Sequence, residues 1–304
     1  MASTGISSRA GICGLAILAI LLSPQIAGAW ADGGDDRNSG PNCSNSVCQN
    51  QNSYAPKHFI LVHGMGGGAW FWFEIITLLE HYGFTATAVD LTSHGINKAI
   101  ADDVTTVAQY AKPLTDAIEN ATGQVILVGH SLGGGLIAYA SELYPTKVSK
   151  AIYLSAVTPS YNQSMFGAFP ADTFPNLITP GYLTLNFRRG TSTPSSATVN
   201  VNALDKFYMS ETPKRYVNLA KLLFTDTPYV PGTEVLPLSP AKFGTVRRFY
   251  IRTGKDKGVS PADQDAMIAA NPPEKVFCMP NGDHAVFFSA PMELYRLLTC
   301  ISGQ

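Results

Sequence analysis

The feature that most limits how this chain can fold is the stretch VILVGHSLGGG, Val125 to Gly135. An apolar, β-branched run stops at Gly129-His130-Ser131-Leu132-Gly133, and a helix-compatible segment, LIAYASELY, follows directly. A strand that turns into a helix within so few residues leaves no room for side chains beside the turn, and the residue at its tip is forced into a sparsely populated backbone conformation. The G-x-S-x-G spacing therefore has a steric reason, and it predicts a nucleophile elbow that presents Ser131. The bland alternative is a Gly-rich helix cap with a solvent-facing serine.

An elbow of this kind sits on a parallel sheet, and the rest of the chain supplies the strands. The runs HFILV, FTATAV, QVILVG, AIYLS, RRFYIR and KVFCM alternate with helical patterns, which predicts an α/β fold with a mostly parallel sheet of about six strands covered by helices. Val104, Val107, Ala108, Ala111, Leu114 and Ile118 keep to one helical stripe, and Pro113 is expected to kink that helix. The rhythm breaks between about 156 and 245, where only VNALDKFYMS and PKRYVNLAKLLF read as helical. This predicts an inserted, mainly helical cap, with an irregular second domain as the alternative.

The 304 residues suffice for one main domain. A charged fraction of 14% and a net charge of -1 argue against a nucleic-acid partner. Arg9, the apolar GICGLAILAILL and the small-residue AGA at Ala27 to Ala29 follow the order of a secretory signal, predicted over 1–29 and cleaved before Trp30. A membrane anchor is disfavoured because the run falls short of the roughly 18 residues a span needs; no later run reaches that length, so no membrane association is expected of the mature chain. A plastid transit peptide is the alternative, suggested by the serines of MASTGISSRA. A flexible leader is expected over 30–56, with the folded domain over 57–304. Without Cys13, four cysteines remain: Cys43, Cys48, Cys278 and Cys300. In an oxidising compartment, proximity favours Cys43 with Cys48 and Cys278 with Cys300, with buried thiols as the alternative. No metal site is expected, because no histidine or second Cys pair stands at ligand spacing. Sequons at Asn42, Asn120 and Asn162 suit a secreted glycoprotein.

A second strand-to-glycine transition, FILVHGMGGGAWFW at Phe59 to Trp72, admits two readings. Gly64, Gly66 and Ala69 match a dinucleotide-binding fingerprint, with Asp90 as the ribose-binding acid. The alternative is an oxyanion loop, which an elbow serine requires: one amide from the residue after it, Leu132, and one from an earlier loop, here Met65. The elbow downstream and the secretory signal favour the oxyanion loop, so no cofactor is expected. In folds with such an elbow the acid precedes the histidine in chain order. Only His284 among the six histidines follows Ser131, and it lies just after the last strand-like run. His63 and His130 are expected to organise the backbone of the two loops. Asp256, beyond the RRFYI strand, is the expected acid, with an exposed charge paired to Lys255 or Lys257 as the alternative.

These residues resemble the plant methylesterase and hydroxynitrile lyase family of α/β-hydrolases. The match runs through FILVHGMGGGAWFW, VDLTSHGIN, VGHSLGGG, NPPEKV and GDHAVFFSAPMEL, covering most of Lys57 to Ile301. The resemblance implies a triad of Ser131, Asp256 and His284, an oxyanion hole from the Met65 and Leu132 amides, and no cofactor. Lyases of the family typically carry a threonine, a Glu, a Cys and a lysine where this chain has Gly64, His130, Leu132 and Ala285, so the resemblance implies the methylesterase side. Gly254 replaces the first aspartate of the family's T-D-x-D loop, and His94 stands where plant members usually have serine. The expected partner is a small-molecule ester with an apolar or aromatic acyl group, suggested by Phe166, Phe169, Phe174, Tyr182 and Phe187 in the cap. A ligand receptor with little turnover and a hydroxynitrile lyase are the rival functions; the oligomeric state is left open.

Overall fold

The computed structural model describes Met1, Cys43, 57–188 and 190–304; the expected signal segment and all of the leader but Cys43 lie outside these residues. From Cys43 onward the described residues belong to one compact unit, Asn38–Gln304. In chain order its strands are β1 (His58–Val62), β2 (Thr85–Val89), β3 (Val125–His130), β4 (Val148–Leu154), β5 (Leu183–Phe187), β6 (Pro194–Val199), β7 (Thr227–Pro228), β8 (Arg247–Thr253) and β9 (Lys275–Met279). The six expected runs form one sheet in the order β2-β1-β3-β4-β8-β9, and every pairing in it is parallel.

Strand periodicity divides the core in two. Phe59 and Leu61 of β1 pack with Ile126, Val128, Phe249 and Ile251 on one face, whereas Ile60 and Val62 pack with Val125, Leu127 and Tyr250 on the other. Because successive side chains point to opposite faces, a near-continuous apolar run is what a doubly covered strand requires, and β3 is buried at all six positions.

Three expectations change. The helix expected to kink at Pro113 is instead two helices, Val107–Tyr110 and Lys112–Asn120, separated at Ala111, with Pro113 in the first turn of the second. Proline there needs no N–H donor, so it starts a helix rather than bending one. The segment between β4 and β8 contains short helices, among them Leu204–Phe207 and Lys214–Leu223, and also a three-stranded antiparallel sheet, β5-β6-β7. Cys43 pairs with Cys278, their Cα atoms 5.7 Å apart and 235 residues apart in sequence, and Cys300 is also disulfide-bonded. Proximity in sequence therefore misdirected both expected pairings: Cys278 sits on β9, where the fold brings a distant segment alongside. Among the described residues no helix is long and apolar enough to cross a membrane.

Candidate active site

The expected site residues gather at one end of the sheet. Ser131 follows β3, Met65 follows the adjacent β1, Asp256 follows β8 and His284 follows β9, so all four lie beyond carboxyl ends of parallel strands, where crevices open in such folds. At the elbow Ser131 has φ of 53°, a left-handed conformation that costs a non-glycine residue energy. Its neighbours are small for measurable reasons: a Cβ on Gly129 would lie 2.7 Å from the Gly133 carbonyl oxygen, and one on Gly133 would lie 2.6 Å from that of His63. Main-chain bonds from Ser131 N to Leu154 O (3.2 Å) and from Val157 N to Ser131 O (3.0 Å) hold the turn.

His284 Nδ1 lies 2.8 Å from Asp256 Oδ2, and both side chains are buried. The other carboxylate oxygen accepts from the Gly258 and Val259 amides, both at 2.8 Å, while Thr253 Oγ1 donates to Oδ2 at 3.0 Å. With its acceptor sites taken up by donors on three sides, the carboxylate can face His284 in one way only. A carboxylate accepts and does not donate, so Nδ1 carries the ring proton and Nε2 offers a lone pair. Ser131, His284, Met65 and Leu132 line one cavity, whose remaining wall is mostly apolar: Phe169, Phe174, Leu177, Leu183, Val199, Phe207 and Val259. Thr173 also lines it, and its Oγ1 is buried without a partner among the described residues. Among the described residues no hydrogen bond joins Ser131 Oγ to the His284 ring, a contact that often tightens only with substrate present.

The two loop histidines organise backbone, as expected. His63 Nδ1 donates to Gly64 O at 2.8 Å and its Nε2 accepts from Leu91 N at 3.2 Å; burial pushes its pKa down to about 4. His130 Nε2 donates to His284 O at 2.8 Å, and burial together with the His284 ring holds its pKa well below the usual range. Asp90, weighed as a ribose ligand, spends its carboxylate on the Ala69 amide at 2.7 Å and the Ile96 amide at 3.1 Å. Asp283 points away from the site and accepts from Glu211 N, Thr212 Oγ1 and Ser289 Oγ.

Two residues that sequence reading passed over stand beside the site. Tyr208 meets His284 edge to face with ring centroids 4.5 Å apart, donates its hydroxyl to Met65 O at 3.3 Å and accepts at its own carbonyl from Ala285 N at 3.2 Å. His94 is buried against His63, with ring centroids 4.7 Å apart. Nothing local to either residue signals this; only the departure of His94 from the usual serine was visible.

The chain matches the alpha/beta hydrolase family over residues 59–297. It is 41% identical to putative methylesterase 15, chloroplastic, of Arabidopsis thaliana over 81% of this chain and 56% of that one. With Arabidopsis methylesterase 9 the identity is 33%, over 82% and 99%. The chain thus spans about 56 to 63% of the length of the first curated relatives it matches. Among solved structures, polyneuridine aldehyde esterase superposes with a TM-score of 0.74 at 29% identity over 82% of this chain and 100% of its own. Tomato methylketone synthase I superposes with 0.76 at 27% identity, covering 82% and 98%. The chain belongs to the alpha/beta hydrolase family, among relatives of the plant methylesterases.

Proposed function

We propose that this protein is a serine carboxylic-ester hydrolase of the methylesterase type, acting on a small ester with an apolar or aromatic acyl group. The observation that carries the reading is the buried Asp256–His284 hydrogen bond of 2.8 Å, opening onto the apolar cavity that Ser131 also lines. The names of the relatives, methylesterases and an esterase, support the same class.

In this reading Ser131 Oγ attacks the ester carbonyl while His284 Nε2 takes its proton, and Asp256 stabilises the imidazolium that forms. The carbonyl oxygen, now an anion, is met by the Met65 and Leu132 amides. The carbon–oxygen bond to the alcohol breaks as Nε2 returns the proton to it. Water, deprotonated by the same nitrogen, then attacks the acyl-enzyme; the acid leaves and Ser131 recovers its proton. The segment between β4 and β8 acts as the cap, because Phe169, Phe174, Leu177 and Phe207 within it supply much of the apolar wall. A Cβ at Gly64 would lie 2.6 Å from Ser131 Cβ, which opposes the lyase-type threonine at that position.

The route is through the secretory pathway, with removal of 1–29. Its support is the Cys43–Cys278 disulfide and the disulfide state of Cys300, since such bonds persist in oxidising compartments. The exposed Asn120 and Asn162 stand in sequons that this route would glycosylate. Several Arabidopsis relatives are named chloroplastic, and delivery of a tagged chain to plastids would overturn the secretory route. The function itself is tested by turnover of a panel of methyl and aryl esters with wild type and Ser131→Ala. Binding of the esters without turnover by wild type would favour the receptor.

A further inference from the structure

The loop that carries Met65 is gripped from outside its own strand–helix unit. Gly66 has φ of 75°, and both of its main-chain polar groups are bonded to one short stretch beyond the helix Lys214–Leu223. Gly66 N donates to Thr227 Oγ1 at 2.8 Å, and Thr225 N donates to Gly66 O at 3.0 Å. Thr227 is completely buried. The next residue is held as well: His94 Nδ1 lies 3.0 Å from Gly67 O and 2.9 Å from Thr225 Oγ1. Since a carbonyl only accepts, Nδ1–H is the donor shared by these two oxygens, and His94 Nε2 accepts from Tyr110 O–H at 3.1 Å. Phe224 packs against Gly66 on the side where a Cβ would stand.

Oxyanion stabilisation depends on donors that are aimed before charge develops, and a shift of well under an ångström forfeits much of it. Met65 N belongs to the Gly64–Met65 peptide, the unit before the one that carries Gly66 N, so with the Gly66 main chain held on both its polar groups only the φ and ψ of Met65 separate the clamp from the direction of that amide. We infer that Thr225 and Thr227, with His94 behind them, are positioning residues that clamp the oxyanion loop, so that the insertion between β4 and β8 sets the geometry of the reaction centre as well as covering it. This inference rests on the esterase reading for its catalytic consequence, though the clamp itself has a readout that does not.

Thr227→Val keeps the shape of the side chain and removes the acceptor of the Gly66 amide; Thr227→Ser keeps the acceptor and removes a methyl. With a methyl ester that wild type turns over, Val is expected to lower kcat by about 10- to 100-fold while KM moves less than about threefold, and Ser to recover most of kcat. Hydrogen exchange of the peptide spanning 64–68, followed in the same three proteins, is expected to quicken about tenfold in Val and return in Ser. Unchanged exchange and kcat in folded Thr227→Val would overturn the clamp, as would Val and Ser losses of equal size, which would report packing alone. Exchange that follows the hydroxyl in a wild type without ester turnover would sink the esterase reading and still support the clamp. Should Val not fold, Thr227→Ala, which also removes the acceptor of the Gly66 amide, carries the same two readouts, and normal values in it would overturn the clamp.

Discussion

The ring of His130 donates its Nε2–H to the main-chain oxygen of His284 at 2.8 Å, so the residue preceding Ser131 is bonded to the loop that presents the proposed base. The elbow and the base loop, 154 residues apart in the chain, are thereby held in register by one side chain whose other nitrogen is buried without a partner among the described residues. Replacing His130 by Phe retains the ring packing and removes the donor. We expect kcat to fall about tenfold, the equivalent of one buried hydrogen bond, with little change in KM. Steady-state kinetics on one methyl ester decide it, and a variant as active as wild type would show the bond to be incidental.

Ser131, His284 and Asp256 should behave as one unit. Ser131→Ala and His284→Ala are each expected to lose on the order of 10⁶-fold in ester hydrolysis, and Asp256→Asn about 10⁴-fold. The double variant Ser131→Ala/His284→Ala should be hardly worse than either single one. Circular dichroism first establishes folding, and additive losses in the double variant would argue against a shared proton path.

No useful cyanohydrin cleavage is expected. Ala285 brings no ammonium to a leaving cyanide, and Gly64 has no hydroxyl and no space for one beside Ser131. Mandelonitrile assays test this, and lyase turnover above ester turnover would reverse the assignment.

Among the described residues Thr173 Oγ1 is a buried hydroxyl without a partner, on a residue lining a mostly apolar wall. An unpaired polar group of this kind penalises a purely apolar guest. Acyl groups bearing a distal hydroxyl or carbonyl should therefore be preferred over hydrocarbon analogues by about tenfold or more in kcat/KM, and Thr173→Val should level the two. An unchanged preference in that variant would remove Thr173 from recognition.

Stability should fall with acid over a defined window. Burial lowers the pKa of His63 from 6.5 to about 4, so between those values the unfolded chain binds a proton that the native state refuses. Its contribution is therefore intact above about pH 6.5 and lost as pH drops toward 4, a change of roughly 3 kcal/mol for this one group. Burial displaces His94 and His130 in the same direction. Urea midpoints measured from pH 7.5 to 4 should decline most steeply in this interval, and a flat profile would contradict it.

The main sheet was legible because its strands are short β-forming runs between turn residues, and the elbow because its G-x-S-x-G spacing and the strand and helix on either side of it are contiguous in the chain. The small sheet was not. Its strand PSSATV carries serine and threonine where a periodic apolar signal would be sought, and its partner Thr227–Pro228 is only two residues long. Thr227, Tyr208 and His94 escaped for a different reason: the bonds that place them span 161, 143 and 131 residues. Spacing arguments reach only as far as one element and its neighbours. The Cys43–Cys278 pairing lay beyond them on the same account.

That pairing also imposes an order on biogenesis. The ring it closes contains all of β1 through β8 and most of β9, and its second sulfur leaves the ribosome 235 residues after its first. On the proposed secretory route, at about 5–20 residues per second, Cys43 emerges roughly 10–50 s before Cys278 can join it. On that route the early thiol meets other cysteines before its own partner, so the demand for thiol–disulfide editing falls during synthesis.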